Sequence, residues 1–476
     1  MQLGFTAEQE VLGVIGAMGP TEDIRFFPDR RRFAVAASDR DLIYVFDIEI
    51  RMTPAGKQIH LSAVVELSSS QLKYPHGLDF IDNETLVVAN RGGDLALFRI
   101  PPGNGSTKGE LILLQTIASN DMKLSSPGSV VVSQIGPGHH EVLASRTFAH
   151  QVSRDVVATS ADYAVTERQV LLAKWLETPD GISIDPRQRW LAVSNHNTHS
   201  VLIYSKVREQ HVEIDPVAVL RGSDYPHGLR FSDDGRYILV TDAGAPYVYI
   251  YFQDDGHWQG VYDPSLSLRV MNDPVFQSGN TNPEEGGPKG LDLDCTTGLL
   301  VTTCPNQPLA FFDLNRILAN VYRSGPLDVL DGTASVSEGA GDVRHELEKQ
   351  QRHAQAVTSA RQAAHAEQRA TLAEQRANHA EQYAAQTEQR ATHAERYAVQ
   401  TEQRATHAER YAAQTEQRAT HAEQYAAETE QRAAGAESRV QAILCSNSWR
   451  VTAPLRWAFA ARKPRVRKNG RSHTQS

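Results

Sequence analysis

The pentapeptide Tyr-Pro-His-Gly-Leu is written twice, starting at Tyr74 and again 151 residues later at Tyr225. Its surroundings recur in degenerate form as TEDIRFF, YPHGLDF, SPGSVVV, TPDGISI, YPHGLRF and GPKGLDL. Aligned on the residue before the glycine-like position, the six copies fall at Glu22, His76, Gly128, Asp180, His227 and Lys289, with gaps of 54, 52, 52, 47 and 62 residues. A second feature keeps nearly the same register. β-rich runs such as LVVAN, LAVSN, ILVTD and LVTTC end at Ser38, Asn90, Ser145, Asn195, Asp242 and Cys304.

Each unit therefore holds a short strand, a turn (IDNE, DPRQ, SDDG, DCTTG), a second apolar strand, another turn and a third strand such as LALFRI, VLIYSK or YVYIYF. A less regular fourth strand follows, as in HLSAVVEL, LILLQTI, VLLAKWL and VAVLRG. Four antiparallel strands repeated every roughly 40 to 50 residues form a propeller blade. Six copies predict an all-β six-bladed propeller over residues 1–335. The run EVLGVIGA, ahead of the first copy, resembles the fourth strands and is expected to complete the last blade, closing the ring.

The pattern P-x-G-[LI]-x-[FIL], a turn, then LxVxN/D resembles the six-bladed propellers of the NHL, TolB-like and SMP-30/gluconolactonase type, from residue 10 to about 325. That scaffold hosts lactonases, other hydrolases and pure binding modules, so the resemblance implies architecture more than activity.

In a four-stranded blade, the approach to the innermost strand and the turn between strands two and three lie on one face. Glu22, His76, Asp180 and His227 should therefore converge at one channel mouth with Asn90, Asn195, His196 and Asp242. Such a set could hold a divalent cation, the oxygens suiting calcium or magnesium and the imidazoles zinc or manganese. The resemblance implies a metal held by a Glu of the first blade and by Asn or Asp of later blades, which places Glu22 and Asp180 on ligand-type positions. His76 and His227 stand where an oxygen ligand would be expected, and the ammonium of Lys289 would repel a cation. His76 and His227, facing one another across the channel, are the candidate catalytic proton carriers. The bland alternative is a bare mouth in which Pro and Gly serve a tight turn, Leu packs between blades, and the polar residues are solvated. The longest gap carries Trp258, Tyr262 and Phe276 and reads as either a lid or a surface loop. No GxSxG, P-loop, GxGxxG or HExxH pattern occurs.

Composition divides the 476 residues: Phe, Gly, Pro and Ile crowd the first 335, whereas Ala, Glu, Gln, Arg, Thr and His dominate thereafter. The expected boundaries are a linker at 336–342, a heptad-repeat coiled coil at 343–444 and a basic tail at 445–476. Three cysteines without CxxC spacing indicate neither disulfides nor a zinc module. With no basic, long-apolar leader and no apolar run of spanning length, a cytoplasmic protein, peripheral at the inner membrane through its tail, is expected. The net charge of −9 makes nucleic acid an unexpected partner.

Four 14-residue units begin at His379, His393, His407 and His421. Alanine repeats every seven residues from Ala384 to Ala433, and Ala or Thr four residues earlier, giving a and d positions; Arg390, Arg404 and Arg418 then fall at g, and Glu395, Glu409 and Glu423 at the following e. That register pairs g with e′ in a parallel coiled coil, so a homo-oligomer is expected, although a small-residue seam also suits a solvated single helix. The tail carries Trp449, Arg450, Leu455, Arg456, Trp457, Arg462 and Lys463, a basic segment with aromatic anchors suited to an anionic membrane surface or a partner groove. SNSWRVTAPLR is similar to a SWRxTxPLR element at the ends of bacterial glycosyltransferases and surface-polysaccharide assembly proteins, and this implies such a docking partner. Two functions are thus in view: a binding scaffold on a stalk, and a metal-dependent lactonase or related hydrolase at the mouth.

Overall fold

A computed structural model of the chain describes residues 1–54, 56–102, 106–118, 126–205, 212–279, 285–323 and 340–446. The repeat folds as its spacing requires. Each first run is the innermost strand of a blade: Thr21–Phe26, Pro75–Phe80, Pro127–Gly136, Pro179–Ile184, Pro226–Phe231 and Gly290–Asp294. Each pairs antiparallel with the second run, and six sheets result, one per blade. The leucine of the motif packs between blades; Leu78, Ile182 and Leu229 are fully buried, each in a different apolar layer.

The ring closes differently from the expectation. EVLGVIGA lies in a helix, Gln9–Ala17, and Gln2–Leu3 instead pairs antiparallel with Phe311 and Phe312 as the fourth strand of blade six. The spacing explains the helix: Val11, Val14, Ile15 and Met18 recur at helical period, and all four pack against the core shared by blades one and six. Phe5–Ala7 runs parallel to Ile59–Leu61 of blade one, so the N-terminal segment straps the last blade to the first. Lys57 adds a buried ion pair across the same seam, 2.8 Å from Asp313.

The glycine of the motif also has a different role. A Cβ at Gly77 would lie 2.6 Å from the Ser129 backbone, so the residue permits close approach of neighbouring inner strands near the axis, not a tight turn. The long insertion before blade six adds a strand to each of two blades. Trp258 is buried between blades four and five with Nε1 donating to the Gly235 carbonyl, and Gly260–Tyr262 adds a strand to blade four. Leu266–Arg269 is the fourth strand of blade five, and Phe276 lies on the helix Asp273–Gly279.

The chain divides into two units, Met1–Ala364 and His365–Ser476. The long helix Ala340–Cys445 begins inside the first. Its Val343 and Leu347 are buried in the apolar layer containing Leu172, Leu176, Tyr204 and Val219, and Glu346 pairs with Arg221 at 3.6 Å. The head thus takes in helical residues that composition assigned to the stalk. In the second unit the helix is continuous to Cys445, with Tyr383, Tyr397, Tyr411 and Tyr425 exposed at 14-residue intervals. The tail residues Trp449 to Lys463 lie outside the described residues. None of the described helices is long and apolar enough to cross a membrane.

Candidate metal centre at the channel mouth

In blades one to five the inner strand carries one more residue than its partner just where the site residue stands. Pro75 pairs with Asn90 but Gly77 with Ala89; Pro226 pairs with Asp242 but Leu229 with Val240; Pro179 pairs with Asn195 but Ile182 with Val193. Thr21 and Ile24 show the same irregularity. Such a bulge re-aims a side chain without ending the strand. Glu22, His76, Asp180 and His227 are brought together in this way, and all four are nearly inaccessible to solvent.

The contacts are close. His76 Nε2 lies 3.4 Å from Glu22 Oε2, and His227 Nε2 lies 2.9 Å from Asp180 Oδ2 and 4.0 Å from Glu22 Oε2. The His76 and His227 rings face one another with centroids 5.3 Å apart. His196 joins them from the short helix His196–Thr198, its Nε2 3.5 Å from Asp180 Oδ2 and its ring on Tyr225. Three cationic or anionic groups cap the cluster: Lys289 Nζ is 2.9 Å from Glu22 Oε2 and 2.8 Å from Glu285 Oε2, and Arg91 Nη2 is 2.7 Å from Asp180 Oδ1. Below, the channel is crossed by Arg25, which pairs with Asp79 at 3.0 Å and Asp292 at 3.2 Å, and by Arg230, 3.3 Å from Asp292.

The ionisation pattern follows from these neighbours. Burial works to raise the Asp180 carboxyl, yet His227, His76 and Arg91 hold it well below the usual carboxylate range. Burial opposes ionisation of Glu22 too, and Lys289 with the two imidazoles outweighs it. Burial and the nearby Arg91 push His76 down to about 4, and burial pushes His196 down to about 3. For His227 burial is outweighed by Asp180, and the imidazolium is favoured. Two neutral imidazoles thus sit beside two carboxylates.

The His76 tautomer is decided by geometry. Its Nδ1 is 2.6 Å from the Gly128 carbonyl oxygen, which can only accept, so Nδ1 carries the proton. Nε2 then presents a lone pair to a carboxylate oxygen at 3.4 Å, an arrangement that a cation between them would relieve. A histidine ring held by its far N–H on a backbone carbonyl is the usual support of a metal ligand. Glu22 Oε2, Asp180 Oδ2 and His196 Nε2 are buried without a well-aligned hydrogen bond, although Lys289 and His227 stand within ion-pair distance of the two carboxylates. Two sets of donors lie within 4.8 Å of one another: Glu22, His76 and His227, and Asp180, His196 and His227. Donors at about 2.0–2.2 Å on a tetrahedral ion are about 3.3–3.6 Å apart, so the spacing fits a cation, and the imidazole-rich composition suits zinc or manganese better than calcium.

Three solved structures are similar to this chain. One is provisionally described as a gluconolactonase, with 15% identity and a TM-score of 0.40 over 62% of this chain and 88% of that one. A gluconolactonase of Xanthomonas campestris gives 14% and 0.41 over 62% and 85%, and a protein of unknown function from Desulfotomaculum acetoxidans gives 15% and 0.41 over 62% and 83%. No family model matches the sequence, and no curated protein matches it.

Asn90, Asn195 and Asp242, expected as oxygen ligands, are committed elsewhere. Asn90 Oδ1 accepts from Lys73 N and Asn195 Oδ1 from Glu177 N, while Asp242 accepts from the backbone N–H groups of Asp224, Tyr225 and Gly244. In blades two, four and five the end of the second strand thus organises the approach to the innermost one. Sequence reasoning missed Arg91 and Glu285. Arg91 directly follows a ring position, which is a usable signal; Glu285 lies in the insertion, and only folding brings it to Lys289.

Proposed function

We propose that the propeller head is a divalent-metal-dependent hydrolase acting on a small ester or lactone at the channel mouth. The observation that carries this reading is the His76 Nε2 lone pair held against Glu22 Oε2 by the Nδ1–H bond to Gly128. Glu22, His76 and His227, or Asp180, His196 and His227, would hold the ion. When bound, it would supply Lewis acidity toward a carbonyl. The protein's own groups do the rest. Without an ion His227 Nε2 stands 2.9 Å from Asp180 Oδ2 and favours its proton, so joining either set would mean releasing that proton. Arg91 orients Asp180 through its 2.7 Å contact with Oδ1.

Aldonolactones are the first substrates to assay, because a gluconolactonase is among the similar structures. Metal content of the purified protein is the direct test, paired with lactone hydrolysis by wild type, Glu22→Gln and Asp180→Asn. Stoichiometric transition metal, with activity lost in both variants and on chelation, supports the reading. A protein that takes up no divalent ion and gains no thermal stability from added zinc or manganese would sink it.

A scaffold role through the tail has no support among the described residues. Self-association of the stalk is proposed separately, on the Glu residues at e and the Arg and Tyr residues that alternate at g between Tyr383 and Arg432.

A further inference from the structure

Building on the metal-centre reading, we propose that Lys289 is an internal latch, an ammonium that occupies Glu22 until a divalent cation displaces it onto Glu285. Lys289 Nζ lies 2.9 Å from Glu22 Oε2 and 3.0 Å from Oε1, and 2.8 Å from Glu285 Oε2. Glu22 Oε2 is also the oxygen that faces His76 Nε2 and His227 Nε2. The ammonium thus donates to Oε1 and stands at ion-pair distance from Oε2, the oxygen that belongs to the candidate metal set. A divalent ion at Oε2 and an ammonium 2.9 Å from the same oxygen repel one another, so each weakens the other's hold on Glu22.

Glu285 turns this competition into a switch. Its carboxylate already touches the ammonium, and its side chain is 23% exposed against 2% for Glu22. Withdrawal toward Glu285 keeps the ammonium paired while it uncovers Glu22. Only the side chain needs to move. The Lys289 backbone is pinned on both sides, its N–H donating to the Thr303 carbonyl at 2.9 Å and its carbonyl accepting from Gly228 N at 3.0 Å. Next to Glu285, Gly286 N donates to the Ala243 carbonyl at 2.8 Å, which holds the receiving carboxylate in place. The lysine stem has the rotatable length for such a swing, which a guanidinium locked in a bidentate pair would lack. The same movement takes the ammonium off the buried Glu22 carboxylate.

The test is calorimetric titration of Zn²⁺ and Mn²⁺ into chelator-stripped full-length protein, comparing wild type, Lys289→Met, Glu285→Gln and the double variant. Lys289→Met should bind at least about tenfold more tightly, because the competitor is gone, and Glu285→Gln more weakly, because the displaced ammonium loses its acceptor. Glu285→Gln should cost less affinity in the Lys289→Met background than in wild type, since there is then no ammonium for Glu285 to receive. Wild type that binds with an affinity unchanged in Lys289→Met overturns the latch and leaves the metal centre standing. Binding by neither overturns both. Should Lys289→Met fail to fold with Glu22 left unpaired, Glu285→Gln decides: unchanged affinity overturns the latch.

Discussion

His76 Nε2 faces Glu22 Oε2 across 3.4 Å while the opposite nitrogen of the same ring donates to the Gly128 carbonyl. The relation joins three blades, and it separates side chains that serve a ligand from those that serve the fold. His76→Ala should lower divalent-ion affinity at least about tenfold, at a cost in stability of about 1 kcal/mol for the lost bond to the Gly128 carbonyl. Asn90→Ala should do the reverse. It removes three bonds to backbone groups, so thermal unfolding should show a loss of about 1–3 kcal/mol with metal affinity unchanged. Calorimetry and melting curves on the two variants check the division.

The Lys57–Asp313 pair ties blade one to blade six. Burial works to raise the Asp313 carboxyl, but the hydrogen bond from Lys57 outweighs it and holds the group below its ordinary 3.8. For a carboxylate lowered by folding, the stabilisation is fully present above 3.8 and is lost as pH falls through the lower folded value. Lys57→Met should therefore cost about 3 kcal/mol at neutral pH and remove this part of the acid sensitivity, measured by denaturant unfolding between neutrality and pH 2.

Removal of residues 1–7 should open the ring. Gln2–Leu3 supplies the outer strand of blade six, and the Phe5 ring lies 5.4 Å from that of Phe311. The expected loss is about 2–4 kcal/mol, with a new tendency to associate through the bared edge, followed by light scattering during thermal unfolding.

The start of the long helix belongs to the head. Leu347→Ala should destabilise it by about 2–4 kcal/mol, and a chain ending at residue 335 should melt lower than one ending at 364. Equal melting temperatures for the two lengths would show that the packing of Val343 and Leu347 contributes nothing.

If the stalk pairs in parallel through its g and e positions, reversal of Arg390, Arg404 and Arg418 to Glu should shift sedimentation of the full chain toward monomer, with the head's melting temperature unchanged. Adding the matching reversal of Glu395, Glu409 and Glu423 to Arg should restore the assembly.

The six-fold period alone determined the architecture, because each blade is built from local hairpins whose turns and alternating apolar residues lie within about 50 residues of one another. It also named Glu22, His76, Asp180 and His227 as occupants of one mouth, since equivalent positions in a ring must converge. What the period could not decide were events that depend on contacts distant in sequence. A helix at Gln9–Ala17 and a strand at Gln2–Leu3 both satisfy the apolar pattern, and the choice was made by the space between blades one and six. Asn90, Asn195 and Asp242 looked like ligands because residue type does not show which partners a side chain finds, and their oxygens are taken up by N–H groups of the approach loops. The meeting of Lys289 with Glu22, 267 residues earlier, exists only once the ring is closed. Repetition is readable along a chain; which charges end up sharing a buried oxygen is decided by where closure of the ring places them.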